Sequence, residues 1–495
     1  MLAGDATPAV AAGSAPRINP AEEEHFRSIA EFFDRFAPVE SRWRRRNRTY
    51  HRLIESIHRF LIPEGATVLE IGSGGGDLLA ALRPSRGLGI DVSPTLTSIA
   101  GSRYPHLEFT AAAGEHFIVD EKFDYVVLSD LVPYAFDLEA LLRNVRAMTH
   151  ERSRVVTHSY GQLWRPLIRL AELLHLKPRK PIRNWVTPGD VKNLLELADL
   201  EVISVSRQII FPKKIPLLTT FLNGVLARLW GVRHLCLSWW VVARPKPLPP
   251  RRELSVSVVV PCRNEAGMIE EIVARMPELG TETELIFVEG GSTDDTRGEV
   301  QRQIRAHPER KIVLYEQTGT GKGDAVRLGF ERGQNELLMI LDADLTVAPE
   351  DLPKFYRAVV DGHADLANGS RLVYDMEPGA MQLLNVLGNK FFSGVFSFLL
   401  EQPVKDTLCG TKVLRRSDYE AIANSRAYFG DFDPFGDFDL LLGAARQKLR
   451  IIDVPVRYAA RTYGRTNISR FRHGLLLLEM ALFGFYKLKI KPVRV

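Results

Sequence analysis

VLEIGSGGGDLL, Val68 to Leu79, reads as an apolar strand ending in Glu70, a cluster of Gly72, Gly74, Gly75 and Gly76, and the start of a helix. Glycines at such a corner let the chain turn sharply and let backbone approach a ligand closely. Working outward, helical stretches lead into a strand at Thr67 to Ile71, and further apolar strands are expected at Gly87 to Val92 and Tyr125 to Ser129. That rhythm is an open parallel sheet wound with helices. RPKPLPPRRE, Arg244 to Glu253, interrupts it with four prolines and five charges, which leave little to bury and favour an extended connector. Beyond it the pattern restarts in short β-rich runs at Ser255 to Pro261, Leu285 to Glu289, Ile312 to Glu316 and Leu337 to Leu341. A second nucleotide-binding α/β domain is implied. The expected fold is therefore α/β, with two Rossmann-like doubly wound domains in series.

With 495 residues the chain exceeds one ordinary core, and it divides into a disordered tail at 1–20, a first domain at 21–243, a connector at 244–253 and a second domain at 254–495. Composition, 45% hydrophobic and 25% charged, argues against disorder and against a multi-span membrane protein. Cys236, Cys262 and Cys409 lack metal-ligand or redox spacing and fit a reducing, cytoplasmic compartment. Met1 to Pro20 has an early Asp5 and no long apolar run, which predicts no signal peptide. Net charge is only +5, yet cations gather at Arg42 to Arg52 and again from Arg461 to Arg494, favouring an anionic partner or else a solvated helix face. Two late apolar stretches, 381–400 and 473–490, carry Lys390 and Glu479 inside them. They read as helices lying in a membrane interface, with Phe391, Phe392, Phe396 and Phe398 in lipid, or as ordinary core helices.

Asp91 ends the second strand in GLGIDVSP, where a carboxylate can accept from two ribose hydroxyls. A glycine cluster alone is shared with NAD enzymes, but the dinucleotide glycine spacing is absent. Glu70, the glycine loop, Asp91 and FDYVVLSDL, Phe123 to Leu131, together resemble class I S-adenosylmethionine-dependent methyltransferases over roughly Arg42 to Arg244. The resemblance implies S-adenosylmethionine as cofactor, with Glu70 at its amino-acid end, Gly72 and Gly74 beneath it and Asp91 on the ribose. Where the family places an acid against adenine this chain has Ala113, with Glu115 close by. Tyr134 and the helix carrying Arg48, Tyr50 and His51 are candidates to close the pocket. Alkyl transfer needs chiefly alignment, so the lack of an obvious base does not exclude activity.

In LDAD, Asp342 and Asp344 follow an apolar strand, placing two carboxylates within reach of one hard cation. Such oxygens suit Mg²⁺ or Mn²⁺, which bridges diphosphate oxygens and stabilises a departing nucleotide. VVVPCRNEAGMIEEIV from Val258, FVEGGSTDDT from Phe287, GKGDAVRLGF from Gly321 and LMILDADL from Leu338 occur in order. Together they resemble family 2 glycosyltransferases of the GT-A type, particularly dolichyl- and polyprenyl-phosphate mannosyltransferases, from Ser255 onward. The resemblance implies that Pro261, Asn264, Glu265, Glu289, Lys322 and Asp342 bind the nucleotide sugar. Asp342 and Asp344 would hold the metal, and Thr346 stands where relatives supply a further ligand. Gly290 replaces a usual Asp, so a GDP- or UDP-hexose is equally open. Arg371 and Arg461 are candidates to grip an acceptor phosphate in bidentate fashion, and Asp437 and Asp439 to act as base on a hydroxyl acceptor.

These resemblances imply a bifunctional enzyme, peripherally bound at the inner face of the membrane, that transfers a hexose with inversion from a nucleotide sugar to a polyprenyl phosphate and carries a methyltransferase. One alternative is transfer to a glycan or small-molecule hydroxyl beside a non-catalytic first domain. Another is an RNA-binding methyltransferase using the Arg42 to Arg52 cluster; no RNA-binding module is recognisable, and no nucleic-acid partner is expected.

Overall fold

The computed structural model describes residues 20–174, 184, 186–215, 217–229, 231–247, 252–373, 383–429, 436, 438–457, 463 and 470–493. The stretch read as a disordered tail lies outside them, apart from Pro20, which starts a helix. The chain divides into two compact units, Met1–Lys246 with Pro492–Val495, and Pro247–Lys491.

The first unit is built on β1 (Thr67–Ile71), β2 (Arg86–Asp91), β3 (Glu108–Ala111), β4 (Phe123–Ser129), β5 (Thr149–Tyr160), β6 (Leu200–Gln208) and β7 (Ser238–Pro245). They line up as β3-β2-β1-β4-β5-β7-β6, parallel up to β5, with β7 antiparallel to both β5 and β6. Successive residues of a strand point to opposite faces, and both faces here are covered. Leu69, Ile71, Val126 and Leu128 enter the core on one side, and Val68, Tyr125, Val127 and Trp240 on the other. Strand order reverses between β2 and β4 on either side of β1, which opens a crevice at the strands' carboxyl ends.

The connector begins later than its composition predicts. β7 runs on through Arg244 and Pro245, where Arg244 is buried and its Nη2 lies 2.9 Å from Glu201. Pairing with β6 draws these residues into the sheet despite their linker-like composition.

The second unit repeats the theme with β8 (Val256–Cys262), β9 (Thr283–Glu289), β10 (Lys311–Glu316), β11 (Leu337–Ile340), β12 (Leu366–Ser370), β13 (Lys412–Arg415) and β14 (Ile451–Pro455). The order is β10-β9-β8-β11-β13-β12-β14, with β13 antiparallel to its neighbours. Val256, Val258 and Val260 pack into one core with Phe287 and Met339. Val259 faces the other way, against Gly329 of the Lys322–Arg332 helix, where an added Cβ would collide with it. Again the order reverses about the first strand, so the ends of β8, β9 and β11 converge on one crevice.

Of the two apolar stretches, the Leu383–Leu400 and Arg470–Phe485 helices are formed as expected. Phe396 is not lipid-facing: it is fully buried, 4.8 Å from the Phe438 ring. No helix among the described residues is long and apolar enough to cross a membrane.

Candidate functional sites

In the first unit the loop after β1 turns as its glycines require, with Gly72, Gly74 and Gly76 at φ of +81°, +52° and +77°. Asp91 closes the other side of the crevice. Its Oδ2 accepts from Gly74 N at 2.8 Å and its Oδ1 from Ser93 N at 2.9 Å, so one carboxylate locks the glycine loop to the end of β2. Glu70 is buried behind the loop. Burial pushes its pKa up to about 8, and its Oε2 has no hydrogen-bond partner. Glu70 is not among the residues that line the pocket, so it lies beneath the glycine loop and not against the ligand space, whereas Asp91 does line it and its carboxylate fits ribose hydroxyls.

Gly72, Gly74, Asp91 and Glu115 all line one pocket, together with Ala113. Glu115 Oε1 accepts from Phe136 N at 2.9 Å, so this acid braces the loop after β4 from the pocket wall. Burial raises its pKa.

The pocket's cover comes from an element that the sequence reading did not single out. The Pro20–Arg46 helix crosses the opening with Phe26, Ile29, Phe33, Phe36 and Glu40 along one side. Their spacing of three and four residues is that of one helix face, and this periodicity was the available signal. The helix is fastened at several points. His25 Nε2 donates to Tyr134 O at 2.8 Å, Phe33 meets the Tyr134 ring edge-on at 5.5 Å, and Asp34 Oδ1 accepts from Ser93 Oγ at 2.5 Å. Tyr134 does line the pocket, but Tyr50 does not: it is buried in the core with its hydroxyl 3.1 Å from Ser238 Oγ. His51 packs against the Trp43 ring, so the Arg48–Leu61 helix supports the sheet instead of closing the site.

Replacing Asp91 with Ala is expected to weaken S-adenosylmethionine binding about 10- to 100-fold, the loss of hydrogen bonds to a charged acceptor, measured by calorimetric titration of the full chain.

In the second unit the crevice holds two groups of residues. At the ends of β8 and β9, Pro261, Asn264, Glu265 and Glu289 meet the Gly290–Thr296 turn. Asn264 sits at φ +58°, with its Oδ1 accepting from Thr293 N at 2.7 Å, and Glu289 Oε1 accepts from Ser292 N at 2.5 Å. Glu265 is buried and its backbone N donates to Thr296 Oγ1 at 2.9 Å. Burial alone would raise the Glu289 pKa, but the Ser292 hydroxyl and amide more than offset it and hold the group ionised.

At the end of β11, Lys322 Nζ lies 2.5 Å from Asp342 Oδ1. Burial works to raise the Asp342 pKa, and the cations of Lys322, Lys412 and Arg371 overcome it, so the net shift is downward. Asp344 Oδ1 accepts from Thr346 Oγ1 at 2.7 Å and from Thr346 N at 3.1 Å, which makes Thr346 an orienting partner of Asp344. Gly410 faces this corner: a Cβ there would strike both Lys322 Nζ and the Asp342 carboxylate. Two carboxylates two residues apart beyond one strand end suit a hard divalent cation, which often takes one or two protein carboxylates and fills its shell with substrate phosphate and water. Among the described residues no cluster of three or more His, Cys, Asp or Glu forms an all-protein cage.

The acceptor-side candidates are placed differently. Arg371 Nε and Nη2 both bind the fully buried Asp406, at 2.7 and 2.9 Å, so its fork is already engaged by this partner. Asp439 is buried, with its Oδ2 3.0 Å from Arg426 Nε and 3.6 Å from Arg327 Nε. Two guanidinium groups on this carboxylate count against a general-base role. Asp437 and Arg461 lie outside the described residues. Lys412, fully buried with its Nζ 2.5 Å from Cys409 O, is a further charge beneath the site; it closes the DTLCGTK segment. The thiols of Cys262 and Cys409 are pushed up to about 12 by burial and offer no nucleophile.

Comparison with known proteins divides the chain in the same way. The glycosyl transferase family 2 profile matches residues 257–423, and a methyltransferase domain profile matches residues 43–205. Glycosyltransferase AglJ of Haloferax volcanii is 31% identical over 229 residues, 46% of this chain and 71% of that one. Polyprenol monophosphomannose synthase of Mycolicibacterium smegmatis is 28% identical, over 45% of this chain and 82% of that one. Dolichyl-phosphate hexose transferase of H. volcanii is 29% identical, over 44% and 89%. Two further H. volcanii relatives, AglD and Agl6, are spanned for only 38% and 51% of their length. The chain belongs to the family 2 glycosyltransferases and carries, ahead of that domain, a segment that matches the methyltransferase domain profile.

Proposed function

We propose that the second unit transfers a hexose from a GDP- or UDP-sugar to a dolichyl-type polyprenyl phosphate at the cytoplasmic face of a membrane, with inversion and with a divalent metal. The observation that carries this reading is the ion pair of Lys322 with Asp342 just beyond the end of β11, with Asp344 two residues further along the chain. Mg²⁺ or Mn²⁺ held by the two aspartates would supply positive charge to the leaving diphosphate. Lys322 adds a fixed cation at the same corner, and Asn264 and Glu289 hold the turn that borders the nucleotide. A lipid phosphate is largely a dianion near neutral pH, by analogy with phosphorylated side chains, so it attacks the anomeric carbon without a strong base. Its oxygen forms the new bond as the sugar–diphosphate bond breaks, and the nucleoside diphosphate leaves with the electron pair. The engagement of Asp439 by Arg327 and Arg426 favours this acceptor over a hydroxyl, which would need a free carboxylate.

Support for a membrane surface comes from the Arg470–Phe485 helix. Leu477, Met480 and Ala481 are buried, yet Leu475 and Leu482 are 68% and 63% exposed, and Phe391 of the Leu383–Leu400 helix is 60% exposed. Amphipathic helices with outward leucines and nearby lysines suit the boundary between headgroups and acyl chains. The test is a screen of labelled GDP- and UDP-hexoses with Mn²⁺ and a short polyprenyl phosphate. Label is expected in the organic phase; label passed only to water-soluble glycans would sink the proposal. The relatives named polyprenol monophosphomannose synthase and dolichyl-phosphate hexose transferase make this acceptor class the first to try.

A further inference from the structure

The first unit has an outward face of reversed polarity. Because β7 is antiparallel to β5 and β6, Ser238 stands opposite both Tyr160 and Gln208. The segments after Tyr160 and between Gln208 and Ser238 therefore leave from one edge of the sheet. It is the edge where β1, β2 and β4 end at the cofactor pocket.

The insertion Ile209 to Leu237 contains no Asp or Glu and four cations, Lys213, Lys214, Arg228 and Arg233. It is ordered from within by polar groups. Asn223 is fully buried; its Oδ1 accepts from Ile210 N and Phe211 N, both at 2.9 Å, and its Nδ2 donates to Phe211 O at 2.9 Å. Thr219 Oγ1 donates to Lys213 O at 2.7 Å. So the Leu218–Gly224 helix turns Thr219, Asn223 and Gly224 inward, while Leu217 is 87% and Phe221 54% exposed. Leu229 and Leu235 are exposed as well. Trp164 Nε1 donates to Leu235 O at 2.8 Å and joins to this face the Arg165–Leu173 helix, whose Leu170 and Leu173 are also exposed. Asn184 Nδ2 donates to Ala135 O at 2.7 Å, on the loop that walls the pocket.

Single exposed leucines are ordinary, but this many around a satisfied polar interior mark a surface whose outer medium is apolar. Charge identifies the medium. Arg207 and Arg233 lie near one another, and neither forms an ion pair among the described residues; burial and the neighbouring Arg233 depress the Arg207 pKa. The exposed Lys213 and Lys214, on an insertion without acids, complement anionic headgroups and repel the same segment of a second copy, while the Arg165–Leu173 helix beside it carries Glu172. We propose that the β6–β7 insertion and the Arg165–Leu173 helix form a docking surface for an anionic lipid bilayer, and that the methyl acceptor reaches the adjoining pocket from that bilayer. This rests on the first unit being a methyltransferase. In the transfer the acceptor's heteroatom bonds to the methyl carbon as the sulfur–methyl bond breaks. The electron pair stays with the departing S-adenosylhomocysteine, and the acceptor's proton goes to water.

All three cysteines are buried, so Leu217→Cys in the full chain gives one accessible thiol for an environment-sensitive dye. With phosphatidylcholine vesicles containing phosphatidylglycerol the emission is expected to shift to the blue, and K213E/K214E in that background to reduce vesicle binding of the site several-fold. A dye on Leu478→Cys reports the second unit separately. A shift at Leu478→Cys with none at Leu217→Cys overturns the present proposal and leaves the glycosyltransferase membrane reading standing. A shift at Leu217→Cys that follows protein concentration without vesicles assigns the face to a second copy and also overturns it. Calorimetry with S-adenosylmethionine, unchanged in K213E/K214E, separates either failure from loss of the methyltransferase reading. Tritium from methyl-labelled S-adenosylmethionine is expected in organic-soluble product when a membrane lipid extract is supplied; label confined to water-soluble acceptors overturns the acceptor assignment.

Discussion

Asp344→Ala lowers sugar transfer by about 1,000-fold or more while the second unit stays folded. Charge stabilisation from a catalytic divalent ion amounts to several kcal/mol, and each 1.36 kcal/mol is about a factor of ten in rate. The structural cost is small by comparison. Asp344 is half-buried, and its Oδ1 contacts are to Thr346 N and Oγ1, worth about 1 kcal/mol each. Activity and stability therefore separate in this variant. Mn²⁺ binding followed by electron paramagnetic resonance in the presence of nucleoside diphosphate is expected to vanish with it. Undiminished transfer by Asp344→Ala would end the metal assignment. Asp342→Ala adds a second defect, since it leaves Lys322 Nζ without the carboxylate 2.5 Å away.

The second large effect is on the acid stability of the first unit, and it has two opposing parts. His58 and His158 are fully buried within 5.7 Å of one another, and burial pushes both pKa values down to about 3. An unfolded histidine binds a proton below about 6.5, so between pH 6.5 and 3 the unfolded chain holds protons that the folded one refuses. The stability these residues contribute is present above pH 6.5 and lost as pH falls, about 2 kcal/mol for each at pH 5. Glu70 acts in the other direction. Its folded pKa of about 8 means that its contribution is present below about 4.5 and is lost as pH rises towards 8. Wild-type stability alone would hide both, because the two parts are similar in size. Variant differences expose them. Whatever H58F/H158F costs in packing at pH 8, its stability relative to wild type is expected to improve by about 4 kcal/mol at pH 5. For Glu70→Gln the relative stability moves the opposite way, falling by about 3 kcal/mol or more over the same interval. All six tryptophans precede Lys246, so urea unfolding followed by tryptophan emission reads this unit by itself. A pH-independent gap for the histidine pair would show that they are not buried neutral.

Much of the fold was legible because its signals are local. A run such as Val68 to Ile71 must be buried, and the glycines after it must turn, whatever surrounds them. The end of β7 shows the reach of such local signals. Arg244 and Pro245 have the composition of a linker, and only pairing with β6 and the Glu201 carboxylate draws them into the sheet. Phe396 and Phe398, two residues apart on one apolar helix, look equivalent in sequence, yet the first is sealed against Phe438 and the second is partly exposed.

By itself, then, the amino-acid order determined two α/β units, the strand ends at which ligands gather, and the chemical types of Asp91, Asp342 and Asp344, because strand, turn and motif each depend on a few consecutive residues. The tertiary structure decided the partners. It closed Phe26 to Glu40 over a pocket built around Gly72 to Glu115, paired Lys322 with Asp342, tied Arg371 to Asp406 and Asp439 to two arginines, and turned the leucines of an acid-free insertion outward. The physical reason is range. Backbone conformation answers to neighbours in the chain, whereas the charge state, engagement and exposure of a side chain answer to whatever the sheet order brings within a few ångströms of it.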